Sequence, residues 1–224
     1  MPGEDLFWPT TLLAKDIPDA RIITWGHPIK DSRKESDKET KFGDTEEQKQ
    51  VIQQCTEKLV KDIDDTRQEK GLFKRPIILV GHSVGGTIIA RVGASSNLRF
   101  IYTEYYMQAM FNASVADLDP IYHVTDYIHG VAFMGSPLSD EGAMRISKWL
   151  ADHSAKGICF QEEFVAEKDL FVQMPRIPGR KFVHLHANHD QMTKFCDPDC
   201  ANYVRVRDTL QQWVEELRTP EAFS

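Results

Sequence analysis

The segment Gly81-His82-Ser83-Val84-Gly85-Gly86 has the residue types and the spacing of a serine nucleophile motif, G-x-S-x-G. An apolar run at residues 77–80 precedes it, and residues 87–90 have the composition of a helix that follows. A serine hydroxyl is a weak nucleophile, so it must stand clear of the backbone beside a base. A sharp strand-to-helix turn presents it in this way. We therefore predict that Ser83 is a nucleophile, and that side chains at Gly81 or Gly85 would clash in the turn.

The backbone N–H of Val84 is the expected donor to the oxyanion that forms on a substrate. A helix N-terminus favours negative charge, and Val84 would open the helix. The competing interpretation of the motif is a glycine-rich turn with a bystander serine. A phosphate-binding loop is disfavoured because no G-K-[ST] follows the glycines.

The base that activates a serine is most often a histidine. In strand-turn-helix serine hydrolases the acid and then the histidine follow the serine along the chain. Residues 182–185 have a strand pattern, and His189 lies just beyond them. His186 is the alternative base, whereas His184 lies within the strand itself. We predict His189 as the base.

The acid that orients the histidine is expected after the preceding strand, residues 158–160. Glu162 and Glu163 follow that strand directly, and Asp169 comes a little later. A carboxylate at this place would hold the imidazole and stabilise its protonated form. We favour Glu162 and keep Glu163 and Asp169 as alternatives.

A zinc site is the competing interpretation of the histidines, because His184, His186 and His189 match H-x-H-x-x-H. Such a motif needs further ligands downstream, and no histidine follows His189. Cys196 and Cys200 are spaced C-x3-C and lack the second cysteine pair of a typical zinc site. We expect free thiols, no metal and no cofactor.

The elements that must position these residues alternate between helices and strands. Apolar residues have helical spacing at residues 8–17 and at about 52–69. The pattern predicts buried strands at residues 21–25 and 130–134. A further helix is predicted near the C-terminus by a stripe of apolar residues: Tyr203, Val206, Leu210, Trp213 and Leu217. This alternation predicts one α/β domain over residues 1–224, with a mostly parallel sheet and helices on both faces.

Composition limits the partners. Of the 224 residues 41% are hydrophobic, and the net charge of −7 argues against nucleic acid as the main partner. The N-terminus lacks the features of a secretory signal, and no apolar run reaches the length of a membrane span. We expect a cytoplasmic protein with a small-molecule or lipid ester as substrate; the oligomeric state is left open.

Four stretches of the chain resemble one family, the lipase-like α/β-hydrolases of fungi and other eukaryotes, which also occur as hydrolase domains of NACHT-type proteins. They are residues 8–22, similar to W…LLP…LP-x-ARI; residues 75–86, similar to RPIIFVGHSLGG; residues 130–137, similar to GIIFLGTPH; and residues 188–195, similar to NH-x-x-M-x-KF. The resemblance implies the α/β-hydrolase fold and a Ser83–Glu162–His189 triad, since residues 159–162 stand where the family has S-F-Y-E.

The chain departs from that family at its beginning. The family has an apolar strand and a His-Gly turn, the source of a second oxyanion donor, before the W…LLP segment. Here Trp8 stands close to Met1, so the resemblance implies an N-terminally truncated version. Residues 98–118 look like an insertion, either a lid over an acyl pocket or an ordinary packed helix.

Two classes of function follow from these patterns. The first is hydrolysis of carboxylic esters through the triad, with a specialised fungal metabolite as one substrate option. The second is a catalytically impaired, hydrolase-like domain that binds a lipid or a protein.

Overall fold

The computed structural model describes residues 6–29, 45–72, 74–94, 124–163 and 176–218. The predicted lid at residues 98–118 and the alternative acid Asp169 lie outside these ranges. All other candidate site residues lie within them.

The centre of the fold is a four-stranded sheet. The strands are β1 (Ile77–His82), β2 (Ile128–Met134), β3 (Lys156–Glu162) and β4 (Lys181–Leu185). They lie in the order β1-β2-β3-β4, and every neighbouring pair is parallel. The prediction of an α/β fold with a parallel sheet is confirmed, and all carboxyl ends lie at one edge.

Helices connect and cover the strands. A π-helical turn, Pro9–Leu13, continues into an α-helical turn, Ala14–Asp16, and together they form α1. The longer helices are α2 (Glu46–Glu69), α3 (Val84–Ala94), α4 (Asp140–Asp152) and α5 (Ala201–Glu216). The side chains of Thr45 and Ser139 cap α2 and α4 by accepting backbone N–H bonds, as N-cap residues do.

Each face of the sheet carries its own apolar cluster. On one face α2, α3 and α4 pack on residues such as Val131, Phe133 and Cys159. On the other face α1 and α5 pack on residues such as Met134 and Phe160. Burial on both faces explains the continuous apolar run at residues 131–134 of β2. The predicted stripe of α5 is confirmed: its buried members are Tyr203, Val206, Leu210 and Trp213.

The predicted strand at residues 21–25 is wrong. The segment has no strand structure, and Arg21, Ile23 and Thr24 are exposed. Among the described residues, no backbone–backbone hydrogen bond joins it to the sheet. The apolar pattern of the segment does indicate contact with the core, since Ile22 packs on one apolar cluster and Trp25 on the other. A strand needs a neighbour for its backbone groups, and the pattern alone does not supply one.

No helix in the described part of the chain is both long and apolar enough to cross a membrane. The four cysteines are free thiols: Cys55 and Cys159 are buried, Cys200 is half-buried and Cys196 is exposed.

Candidate active site

Ser83 occupies the turn between the last residue of β1 and the first residue of α3. Its φ of 51° lies in the left-handed region, which non-glycine residues rarely adopt. Such a conformation costs about 1–2 kcal/mol, and the surrounding structure must hold it. The Ser83 N–H donates to the Met134 carbonyl at 2.9 Å, and the Ser83 carbonyl accepts from the Gly86 N–H at 3.0 Å. The turn is therefore sharp and strained, as a serine nucleophile motif requires.

Two glycines make this turn possible. A Cβ at Gly81 would lie 2.7 Å from the backbone of Gly86, and a Cβ at Gly86 would lie 1.8 Å from the Ser136 Oγ. At Gly85 the nearest atom, the His27 Nε2, is 4.0 Å away. The predicted clash is confirmed for Gly81 and is wrong for Gly85, because the first turn of α3 leaves that position open.

A matched pair of substitutions tests this packing. We expect Gly86→Ala to lower the free energy of unfolding by about 1–3 kcal/mol, because the new methyl group overlaps the buried Ser136 side chain. Gly85→Ala should leave it unchanged or raise it by up to about 1 kcal/mol, since alanine favours helix. Denaturant unfolding measures both. Equal effects at the two positions would contradict the contact.

The imidazole of His189 is buried and lies over the carboxyl end of β2. His189 follows β4 in a turn, with 6% of its surface exposed. Gly135, directly after β2, lies beneath it: a Cβ on Gly135 would be 3.0 Å from the His189 Nδ1. Gly135 has a φ of 53°, and its N–H donates to the Phe160 carbonyl at 2.9 Å. A side chain at residue 135 would displace the imidazole.

Ser83 and His189 contact two adjacent residues at the end of β2. The Ser83 N–H binds the carbonyl of Met134, and the His189 ring covers the next residue, Gly135. Both residues therefore lie at the carboxyl edge of the sheet, beside the ends of β1 and β2. Catalytic groups of open α/β folds are found at this edge.

His82 fixes the backbone of His189, a role that the sequence pattern did not reveal. The His82 Nε2 lies 3.0 Å from the His189 carbonyl oxygen, and the ring centroids are 4.7 Å apart. Because a carbonyl only accepts, Nε2 is the donor. Burial lowers the pKa of His82, and the bond to His189 and the charge of Asp190 offset part of this effect. The neighbour of the predicted nucleophile thus positions the predicted base.

Glu162 and Glu163 have opposite environments. Glu162 ends β3 with 1% of its surface exposed. Glu163 is exposed and contacts His186, with 2.8 Å between its Oε2 and the His186 Nδ1. The alternative acid, Glu163, and the alternative base, His186, therefore contact each other at the surface. Burial of a carboxyl group is costly and calls for a compensating partner or role, which favours Glu162 as the acid.

The three histidines of the H-x-H-x-x-H pattern do not share a site. His184 is exposed and contacts the Phe182 ring, His186 pairs with Glu163, and His189 is buried over Gly135. Within the described ranges, no group of three or more His, Cys, Asp or Glu side chains could hold a metal ion.

Two further residues approach the turn that holds Ser83. Val84 is buried and begins α3, so its N–H lies outside the helical hydrogen-bond ladder. His27 is the residue whose Nε2 comes nearest to the Gly85 position, and burial lowers the pKa of His27. It lies in the irregular segment after Trp25, and no local motif in the sequence indicated its approach.

Comparison of the chain with protein-family models, with curated proteins and with solved structures gave no match.

Proposed function

We propose that the protein is a serine hydrolase that cleaves carboxylic esters, with the α/β-hydrolase fold. The observation that carries this proposal is the left-handed conformation of Ser83 between β1 and α3. A strained backbone at a non-glycine residue is retained where the geometry has a use. Here the strain brings a hydroxyl group to the carboxyl edge of a parallel sheet.

The reaction would follow the general serine mechanism. The Ser83 hydroxyl attacks the ester carbonyl while His189 accepts its proton, and His189 then returns the proton to the leaving alcohol. Glu162 holds the imidazole and stabilises its charged form. The Val84 N–H donates to the oxyanion at the positive end of α3. Water then releases the acyl group by the same steps, so an acyl-enzyme forms on Ser83.

The buried positions of Glu162 and His189 support these roles. Two ionisable side chains lie at the carboxyl edge of the sheet with only 1% and 6% of their surface exposed. Burial of such groups is unfavourable for folding. Perturbed and buried ionisable groups concentrate at functional sites for this reason. The lipase-like family that the sequence resembles uses the same order of residues along the chain, and we propose membership of that family on this basis.

Hydrolysis of p-nitrophenyl butyrate tests the proposal. We expect turnover and, in the first seconds, a burst of p-nitrophenol equal to the amount of protein, because the acyl-enzyme accumulates when deacylation is slower. The sample is shown to be folded by a cooperative unfolding transition. A folded sample without any hydrolysis would contradict the proposal and would favour the binding-module alternative.

The two adjacent glutamates give a matched test of the acid. We expect Glu162→Gln to lower kcat by about 10²–10⁴, because an amide cannot stabilise the imidazolium as a carboxylate does. Glu163→Gln changes an exposed contact with His186 and should leave kcat within about twofold. Steady-state kinetics on p-nitrophenyl butyrate measure both. The reverse order of effects would transfer the role of acid to Glu163.

A further inference from the structure

Two of the four cysteines stand at the ends of one tight turn. Residues 197–200 form this turn, in which the Cys200 N–H donates to the Asp197 carbonyl at 3.4 Å and the Asp199 N–H donates to the Asp197 Oδ1 at 2.9 Å. The Cα atoms at the two ends of such a turn lie within about 7 Å of each other. Cys196 directly precedes the turn and Cys200 ends it, so the turn brings the two residues together. We name this pair the dithiol.

The chain on both sides of the dithiol is fixed in the core. Phe195, just before it, is buried, and its ring centroid lies 5.1 Å from that of Trp8 and 5.6 Å from that of Tyr203. Tyr203 belongs to the first turn of α5, which begins directly after Cys200. A disulfide requires a narrow range of distance and direction between its two residues. Anchors on both sides restrict the freedom of the turn, which lowers the entropy cost of bringing the two sulfur atoms together.

Both thiols of the dithiol can be reached from solution. Cys196 is exposed and Cys200 is half-buried. Cys200 is the N-cap residue of α5, and within the described ranges its side chain makes no capping hydrogen bond. Its sulfur atom is therefore not committed to holding the end of the helix.

Asp197 controls the reactivity of Cys196. The Cys196 Sγ donates to the Asp197 Oδ2 at 3.2 Å. This hydrogen bond and the charge of Asp197 raise the pKa of Cys196, and a thiolate on Cys200 raises it further. The two sulfur atoms are thus close enough to interact electrostatically. Because the thiolate is the reactive form, Asp197 holds Cys196 in the slowly reacting thiol form.

The other two cysteines lie in a different environment. Cys55 and Cys159 are buried in the apolar cluster on the α2–α4 face of the sheet. Burial raises the pKa of both thiols, for Cys159 to about 12. Structural buried cysteines of this kind are inert. They serve as internal controls, since any reagent that reaches them has unfolded the protein.

We propose that Cys196 and Cys200 are a modification site that forms a reversible disulfide with low-molecular-weight disulfides such as glutathione disulfide. One cysteine thiolate attacks glutathione disulfide, forms a mixed disulfide and releases one glutathione. The other cysteine attacks the protein sulfur of the mixed disulfide and releases the second glutathione. Both cysteine sulfurs are oxidised, the reagent is reduced, and the two thiol protons pass to the two glutathione thiols. The inference does not depend on the proposed esterase activity.

The first test identifies the product by mass spectrometry. The folded protein is incubated with glutathione disulfide, then unfolded, alkylated with iodoacetamide and digested with trypsin. Lys194 and Arg205 bound a single tryptic peptide, residues 195–205, that contains both thiols of the dithiol. We expect this peptide to lose both thiol hydrogen atoms and to take up no alkyl group, and dithiothreitol to restore alkylation. Cys55 and Cys159 should be alkylated in every sample.

Single variants separate the two steps of the reaction. Cys196→Ser and Cys200→Ser each leave one thiol of the dithiol, so the reaction should stop at the mixed disulfide with glutathione. In the original protein, three results would overturn the inference: a mixed disulfide that persists, a disulfide between two chains on a non-reducing gel, or a folded sample that does not react.

Two aspartates of the turn provide a matched test of mechanism. Asp197→Asn and Asp199→Asn each remove one negative charge, but Asp197 is the acceptor of the Cys196 thiol. Asparagine keeps an oxygen that can accept from the Asp199 N–H. At neutral pH Asp197→Asn should speed disulfide formation about threefold or more, because more Cys196 is thiolate. Asp199→Asn should change the rate by no more than about twofold, since exposed charges are screened by salt. Equal rates for the two variants would contradict the participation of Cys196 and overturn the inference.

Discussion

Ser83→Ala is expected to abolish ester hydrolysis, with a loss of at least about 10⁴ in kcat, since loss of the nucleophile removes the step on which the others depend. Alanine keeps the Cβ, so the strained φ of 51° and the packing of the turn stay the same. The free energy of unfolding should therefore change little. Initial rates on p-nitrophenyl butyrate, together with denaturant unfolding, separate a chemical effect from a folding effect.

The control for this variant is a serine elsewhere in the fold. The Ser147 hydroxyl, on α4, donates to the Pro178 carbonyl at 2.9 Å. Ser147→Ala should keep kcat within about twofold of the original protein, as surface changes usually have small effects. Undiminished hydrolysis by Ser83→Ala would remove Ser83 from the mechanism.

His189→Gln is expected to have the second largest effect, a loss of about 10⁴ in kcat, because glutamine cannot accept and return the proton. His186→Gln is the matched control. His186 is exposed and pairs with Glu163, so its loss should change kcat by no more than about twofold. The same assay measures both variants.

A stability measurement completes the histidine comparison. The His189 ring is buried over Gly135, so its replacement is expected to lower the free energy of unfolding. Thermal unfolding must therefore show that the His189→Gln protein is folded at the assay temperature. A folded His189→Gln protein with kcat close to the original would contradict the role of base. A large loss with His186→Gln instead would assign that role to the exposed histidine.

The turn at Ser83 could be predicted from sequence because its determinants are local. An apolar strand, small residues at the crowded positions and a following helix are adjacent in the chain. The same motif led to the wrong prediction for one glycine, because it assigned the steric clash to Gly85 instead of Gly86. Gly85 has open space beside it, and Gly86 is the crowded residue, because Ser136 packs there. Ser136 follows β2, so this contact depends on tertiary structure that a local motif does not contain.

The two glutamates illustrate a distinction that strand geometry makes and composition does not. Glu162 is the last residue of β3, and Glu163 is the first residue beyond the strand. The structure buries Glu162 and exposes Glu163. The sequence could identify the pair, but the residue at which β3 ends, which separates its members, is set by the sheet.

Residues 21–25 show the opposite limit of sequence reasoning. Their apolar pattern correctly indicates contact with the core, since Ile22 and Trp25 pack on the two clusters. Strand structure also requires a hydrogen-bonding neighbour. Whether one is present depends on the arrangement of the whole sheet, and among the described residues no backbone–backbone hydrogen bond joins this segment to a strand.

The central claim is that Ser83 is a nucleophile activated by its surroundings, and covalent labelling tests it most directly. The protein is treated with a fluorophosphonate, digested with trypsin, and the modified residue is identified by mass spectrometry. We expect one adduct per chain, located on Ser83, and much slower labelling of the His189→Gln protein. A folded protein that does not react, or an adduct on a different residue, would contradict it.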